Sequence, residues 1–315
     1  MAIRPIDHGI FASSAGGGAS FGYFAGGTPS YKTVVDKYAL TDDSRTTLGT
    51  GLSTGTYGNV GFANSGVAGY SAGGTTGSIV ATVDKFAFVD DGRTTLGTGL
   101  SAVSRDLGGF ANSGVAGYVA GGETYPWSRV DWIDKFAFSD DSRTTLSAVL
   151  TAETSYVCAM ANSGTAGYFC GGELSGGGGY VTTVDKIAFS DDTKSTLGTG
   201  LSVARRGSAA MANSGTAGYV AGGNVSGTVV DKFAFADDSR TTLGTGLAEA
   251  TYSAAGLAST GTAGYIGGGY GEGGTGYATY VIRFAFADDS RTTLGTGLSV
   301  ARSNLAGFAN EASLA

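Results

Sequence analysis

The sequence predicts an all-β protein: a six-bladed β-propeller of four-stranded antiparallel blades, with the ring closed by the C-terminal strand. Three observations carry this expectation. First, Gly-Tyr-Xaa-Ala-Gly-Gly or a close variant begins at Gly22, Gly69, Gly117, Gly167, Gly218 and Gly264, at spacings of 46 to 51 residues. Second, each copy leads into Val-Asp-Lys-Phe-Ala-Phe or a near relative and then into a double-aspartate segment such as Asp140-Asp141-Ser142-Arg143. Third, apolar residues between the glycines alternate with a period of two, and no stretch keeps the 3.6-residue period of a helix. Four short strands in a repeat of this length make a propeller blade, and a fixed period sets the architecture before any other feature.

The third repeat shows each element in order. Gly109-Phe110-Ala111-Asn112 reads as a first strand, a. Ser113-Gly114 supplies a tight turn, where glycine accepts a positive φ. Ala116 to Gly122 returns as strand b, with small residues suited to close approach between inner strands. A segment of variable length follows, here Glu123 to Val130. Ile133 to Phe138 has aromatics at alternate positions and reads as strand c. Asp140 to Arg143 is a turn cluster, and Thr144-Thr145-Leu146 is strand d.

The glycine doublet closing strand b, and the arginine before strand a (Arg205 or Arg302), resemble the kelch-type propeller repeat. The tryptophan usual after strand c in that family is absent, so the chain is kelch-like. The wording of the repeats, Val-Asp-Lys-Phe-Ala-Phe, Ser-Val-Ala-Arg and Thr-Ala-Gly-Tyr-Val-Ala-Gly-Gly, is also similar to repeat proteins of aquatic bacteriophages and their hosts.

A propeller must cover the edges of its first and last blades. After the sixth strand d the chain carries an extra copy of strand a, Leu305 to Asn310. The expectation is a propeller over residues 20–315, its first blade completed by about 303–311, with residues 1–19 as an attachment arm. In the competing arrangement Ile10 to Ser13 completes the blade and the C-terminus is loose.

Turns a–b and c–d fall at one end of a blade, and the b–c and d–a segments at the other. The first set barely varies. Its aspartate pairs are expected to close turns through backbone amides, with the following Arg or Lys pairing with them; a ring of calcium sites is the weaker alternative. The second set varies in length and carries aromatics. The candidate ligand-binding residues are therefore Tyr31, Tyr57, Tyr125, Trp127, Trp132, Tyr180, Arg205, Tyr270 and Tyr277.

Composition narrows the chemistry. The chain has 315 residues, 57 of them glycine, and a net charge of −7, which gives no basic face for nucleic acid. There is one histidine, His8, so no Ser-His-Asp triad or multi-histidine metal centre is expected in the propeller. Asp106 and Glu153 are the carboxylates that a glycan-cleaving reading would use. Cys158 and Cys170 should lie near one another, more as buried thiols than as a strained disulfide. No apolar run is long enough for a membrane span, and the first residues lack a secretory h-region. The expectation is a non-enzymatic protein without cofactor or metal. Following the phage resemblance, it is a virion component (tail fibre, tip or capsid surface) that meets other virion proteins through its arm and a host glycan or protein through its variable face. A bacterial lectin or interaction scaffold and a glycan-cleaving enzyme are the alternatives. Homo-oligomerisation is left open, since no coiled-coil heptad is present to drive it.

Overall fold

The computed structural model describes residues 20–225 and 227–310. It is all-β, with six four-stranded antiparallel sheets and, among the described residues, no α-helix. Residues 1–19 and 311–315, and with them the expected arm and the competing strand Ile10 to Ser13, lie outside the described residues.

Five sheets are continuous in sequence. In the third, strands a to d are Gly108–Asn112, Ala116–Ala120, Ile133–Ala137 and Arg143–Thr145. The second, fourth, fifth and sixth begin with a strands Val60–Asn64, Cys158–Asn162, Ala209–Asn213 and Ala255–Ser259. The first sheet is composite. Its b, c and d strands are Phe21–Ala25, Val35–Ala39 and Ser44–Thr47, and its a strand is the C-terminal Ala306–Asn310. That strand pairs with b in full register, Phe21 opposite Asn310 and Ala25 opposite Ala306. Ala306–Asn310 also packs against Val60–Asn64 on one side and Ala255–Ser259 on the other.

Neighbouring sheets meet through apolar faces. Strand b is buried at every position in sheets two to six, as a central strand covered on both faces should be. Its second residue is always glycine because the preceding sheet's strand a fills that space. A β-carbon on Gly117 would run into the Phe62 ring, and one on Gly218 or Gly264 into the sulfur of Met160 or Met211.

The double aspartates divide their work. The first closes its own turn: Asp140 Oδ1 accepts the Ser142 amide at 3.0 Å, and Asp42 does the same for Ser44. The second has left-handed φ, 56–59° in all six turns, which aspartate tolerates. Its carboxylate receives side chains of the preceding sheet: Asp141 accepts the Tyr70 hydroxyl at 2.8 Å and Lys85 Nζ at 2.6 Å. The same pair of donors reaches Asp91, Asp192, Asp238 and Asp289. The expected pairing of turn aspartate with the next arginine is therefore corrected. Arg143 turns back to the strand c residue Asp134 at 3.3 Å, leaving the turn to the tyrosine–lysine clamp.

Asp134 in turn accepts the Ser101 amide of the preceding sheet at 2.7 Å, and the same bond joins Ser53 to Asp84, Thr151 to Asp185, Ser202 to Asp231 and Ser299 to Asp36. The junction of sheets five and six differs at both positions: Ala248 replaces the serine and a fully buried Ile282 replaces the aspartate. At the opposite end of the a strands, asparagines clip the next turn, Asn64 Oδ1 accepting the Gly114 amide and Asn112 Oδ1 the Gly164 amide, each at 2.9 Å. Cys158 and Cys170 face each other across strands a and b as buried free thiols, Cys158 Sγ donating to the Cys170 carbonyl.

Candidate functional site

At the end carrying the b–c and d–a segments, one residue from each d–a segment takes up left-handed backbone. These are Gly58, Asp106, Tyr156, Gly207, Ser253 and Asn304, with φ between 51° and 70°. Their peptide groups are joined in series. Asp106 N–H donates to Gly58 O (2.7 Å), Tyr156 to Asp106 (2.7 Å), Gly207 to Tyr156 (3.0 Å), Ser253 to Gly207 (2.6 Å), Asn304 to Ser253 (2.7 Å), and Gly58 back to Asn304 (2.8 Å). These six residues line a cavity of about 70 Å³ together with the residue that follows each of them, Asn59, Leu107, Val157, Ser208, Ala254 and Leu305. Gly58 and Gly207 are three steps apart in the series and contribute no side chain. The cavity is thus a slot with Asp106 and Tyr156 on one side and Ser253 and Asn304 on the other.

Asp106 is the unusual group. Its side chain is 2% exposed and its Oδ2 has no hydrogen-bond partner; the nearest cation is Arg105 Nε at 3.5 Å. Burial pushes its carboxyl up to about 7; Glu123 adds to this, while Arg105, Tyr156 and Arg206 oppose it. Around it the charges are paired. Arg105 binds Glu123 at 2.6 Å, Arg206 binds Glu173, and Arg129 binds Glu173 at 2.9 Å and the Ser155 hydroxyl at 2.8 Å. Burial likewise raises the Tyr156 hydroxyl, with Asp106 adding to the effect.

The sequence-predicted residues fall into separate groups. Tyr31 and Tyr57 stack at 5.5 Å, Arg105 reaches the Tyr57 hydroxyl at 3.5 Å, and the Arg105 guanidinium lies 5.0 Å from the ring centre of Trp127. Tyr125 and Trp127 are 78% and 65% exposed at the tip of the same hairpin. Tyr180 flanks Arg206 at 5.4 Å and takes a hydrogen bond from Asn224. Tyr270 and Tyr277 form an edge-to-face pair next to Tyr252, on the sixth repeat.

Two candidates are corrected. Arg205 is fully buried; it bonds to Asp231 at 3.0 Å and to the Val220 carbonyl at 3.1 Å, so it joins sheets and meets no ligand. Arg302 repeats this with Asp36. Trp132 is half-buried, packed against the apolar cluster of Tyr70, Leu100 and Val119. Glu153 is exposed, and the carboxylate close to Asp106 is Glu123.

Asp106, Tyr156, Ser253 and Asn304 were not among the ligand candidates. A signal for them exists: each stands six residues after the leucine of the Gly-Leu-Ser-type segment, at Leu100, Leu150, Leu247 and Leu298. A scan against family models finds no match, and a search of curated proteins finds none either.

Proposed function

We propose that the six sheets are the blades of a closed, kelch-like β-propeller, and that the molecule is a non-enzymatic binding protein working through its b–c and d–a face. Support for the ring comes from the strand Ala306–Asn310, packed between the second and sixth sheets, and from the peptide series that returns to Gly58 after six bonds. The observation that carries the binding reading is the contrast between the two ends. At one end the same asparagine and aspartate bonds recur from sheet to sheet. At the other, aligned positions hold Gly, Asp, Tyr, Ser and Asn, and exposed Tyr31, Tyr125 and Trp127 stand at the rim. Amphipathic rings at a rigid rim are effective binding anchors.

The target in this reading is a glycan or protein on a host cell surface. The resemblance of the repeats to phage repeat proteins extends it to a virion component, attached through residues 1–19. Two measurements test it. Peptides of this chain are expected in purified particles, and their absence ends the virion role. Labelled protein is expected to bind host cells, with Tyr57→Ala and Trp127→Ala weakening binding about tenfold each, a loss typical of a central aromatic anchor. Unchanged binding in both variants removes the face from the account.

A further inference from the structure

We propose that the cavity beside Asp84, between the first and second sheets, is a guanidinium-binding pocket: it is the space that the chain's own Arg205 and Arg302 fill at two other sheet junctions. The ligand class is an alkylguanidinium, either a free small molecule or the arginine side chain of a partner chain. This site is separate from the aromatic rim and does not depend on it.

The repeats supply the comparison. Backbone hydrogen bonds align six positions ahead of the a strands: the carbonyls of Thr56, Ser104, Thr154, Arg205, Thr251 and Arg302 each accept the amide of the second glycine of a doublet. Where the position is arginine, Nη2 bonds to a strand c aspartate and to a strand b carbonyl. Arg205 reaches Asp231 at 3.0 Å and Val220 at 3.1 Å, and Arg302 reaches Asp36 at 3.0 Å and Phe24 at 2.9 Å. In both, the same aspartate oxygen, Oδ2, also accepts the amide and hydroxyl of a serine, Ser202 or Ser299. Asp84 is held in the same frame. Its Oδ2 accepts the Ser53 amide at 2.7 Å and the Ser53 hydroxyl at 2.8 Å, and its Oδ1 accepts the Thr95 hydroxyl at 2.6 Å. The third donor to Oδ2 is missing among the described residues, because the aligned residue is Thr56, whose hydroxyl donates to the Thr75 carbonyl at 3.1 Å. Arg93 faces the other oxygen, 3.6 Å from Oδ1.

There is room for the missing group. Asp84, Thr56 and Ser71 line a cavity of about 80 Å³ with Leu52 and Val80, and exposed Ser53, Thr54 and Thr82 stand at its mouth. Ser71 is the strand b residue aligned with Val220 and Phe24, so a small side chain stands where those junctions carry a large one. The junction of sheets three and four shows what closes such a space. Asp185 also faces a threonine there, Thr154, but Phe169 takes the place of Ser71 and the cavity is about 20 Å³. A carboxylate oxygen with one donor fewer than its counterparts, a strand carbonyl beyond it and the apolar walls of Leu52 and Val80 together suit a cation on an aliphatic stem.

The test is NMR shift mapping of the intact protein titrated with ethylguanidinium chloride and, in a second arm, with the capped peptide acetyl-Gly-Arg-Gly-amide; sodium chloride at the same ionic strength is the control. Binding in the millimolar range is expected, with shifts at Ser53 and Val80 and none at Ser202 and Ser299, whose aspartates already hold an arginine. Binding of both ligands assigns a partner's arginine, and binding of ethylguanidinium alone assigns a free small molecule. Asp84→Asn is expected to weaken binding about tenfold, with the thermal unfolding curve confirming the fold. Thr56→Arg supplies the side chain from within, as at Arg205 and Arg302; it is expected to keep a midpoint no lower than wild type and to lose the binding. If Asp84→Asn does not fold, the Thr56→Arg arm decides alone. The pocket is overturned if Ser53 does not shift, if Ser202 and Ser299 shift equally, if folded Asp84→Asn binds as tightly as wild type, or if Thr56→Arg lowers the midpoint or still binds ethylguanidinium. Host-cell binding by Trp127→Ala protein is read separately, so the rim and the pocket can fail independently.

Discussion

At the scale of single residues, burial decides what a charged group does. Asp106 and Asp231 are both buried aspartates, and their carboxyls are driven in opposite directions. Asp231 is desolvated too, but the Ser202 amide, Thr242 and Arg205 satisfy it, so its carboxyl lies below the usual range. Asp106 is less well satisfied and sits at about 7. The consequences for stability have opposite signs. A lowered carboxyl such as Asp231 supports the fold above the unfolded value and loses that support as pH falls through the folded one. For Asp106, the unfolded chain ionises near pH 4 while the folded protein keeps the proton to about 7, so this group costs stability progressively across that window. The upper bound is about 4 kcal/mol, from roughly 1.4 kcal/mol per unit. Asp106→Asn should therefore be more stable than wild type at pH 8, with the advantage shrinking by pH 4. Thermal melts at the two pH values check this; an advantage that grows on acidification contradicts it.

At the scale of the strand and the sheet junction, stability comes from complementary pairs. Gly117 has ordinary extended backbone, so its need is for space and not for a positive φ. Gly117→Ala should cost about 1–3 kcal/mol through overpacking against Phe62, and Phe62→Leu should recover part of the loss in a double-mutant cycle read by chemical denaturation. Additive losses would show that the two do not share the space. The junction of sheets five and six gives the converse case. Ile282→Asp alone places a carboxylate where Ala248 offers no hydroxyl, and should destabilise by about 3 kcal/mol or more. Adding Ala248→Ser should restore much of it, since Ser202 and Ser299 hold the equivalent aspartates. No recovery in the double variant would separate the two positions.

The strands themselves were legible in the sequence, because alternation and turn residues are local signals. All-β structure in four-stranded antiparallel sheets follows from them, with boundaries displaced by one or two residues. The clamps were not legible from any single repeat. Tyr70 and Lys85 meet an aspartate about one repeat further on, and only the joint recurrence of the three residue types hints at it. Arg205 shows the limit on the site: an arginine in a segment between strands looks the same in sequence whether it faces water or a buried aspartate. Trp132 shows it again for an aromatic residue beside a strand. Asp106 stood out in the sequence only as a carboxylate, and its grouping with Tyr156, Ser253 and Asn304 was not legible because these aligned positions differ from repeat to repeat.

At the scale of the whole molecule, the first sheet draws its strands from both ends of the chain. Deleting residues 303–315 removes Ala306–Asn310, which exposes the edge of Phe21–Ala25 and also strips the packing partner from Val60–Asn64 and Ala255–Ser259. The expected result is a large fall in the thermal midpoint or failure to fold. An unchanged midpoint would mean that another segment covers that edge.

The series of peptide bonds from Gly58 through Asn304 has a consequence of its own. A helix stacks its peptide dipoles end to end and so carries a partial charge at each tip. Here the donors and acceptors follow one another in a loop, so the dipole components along it cancel and no bond in it is terminal. The backbone lends little field to the opening it surrounds. Polarity there is set by the side chains of the four non-glycine residues, Asp106, Tyr156, Ser253 and Asn304.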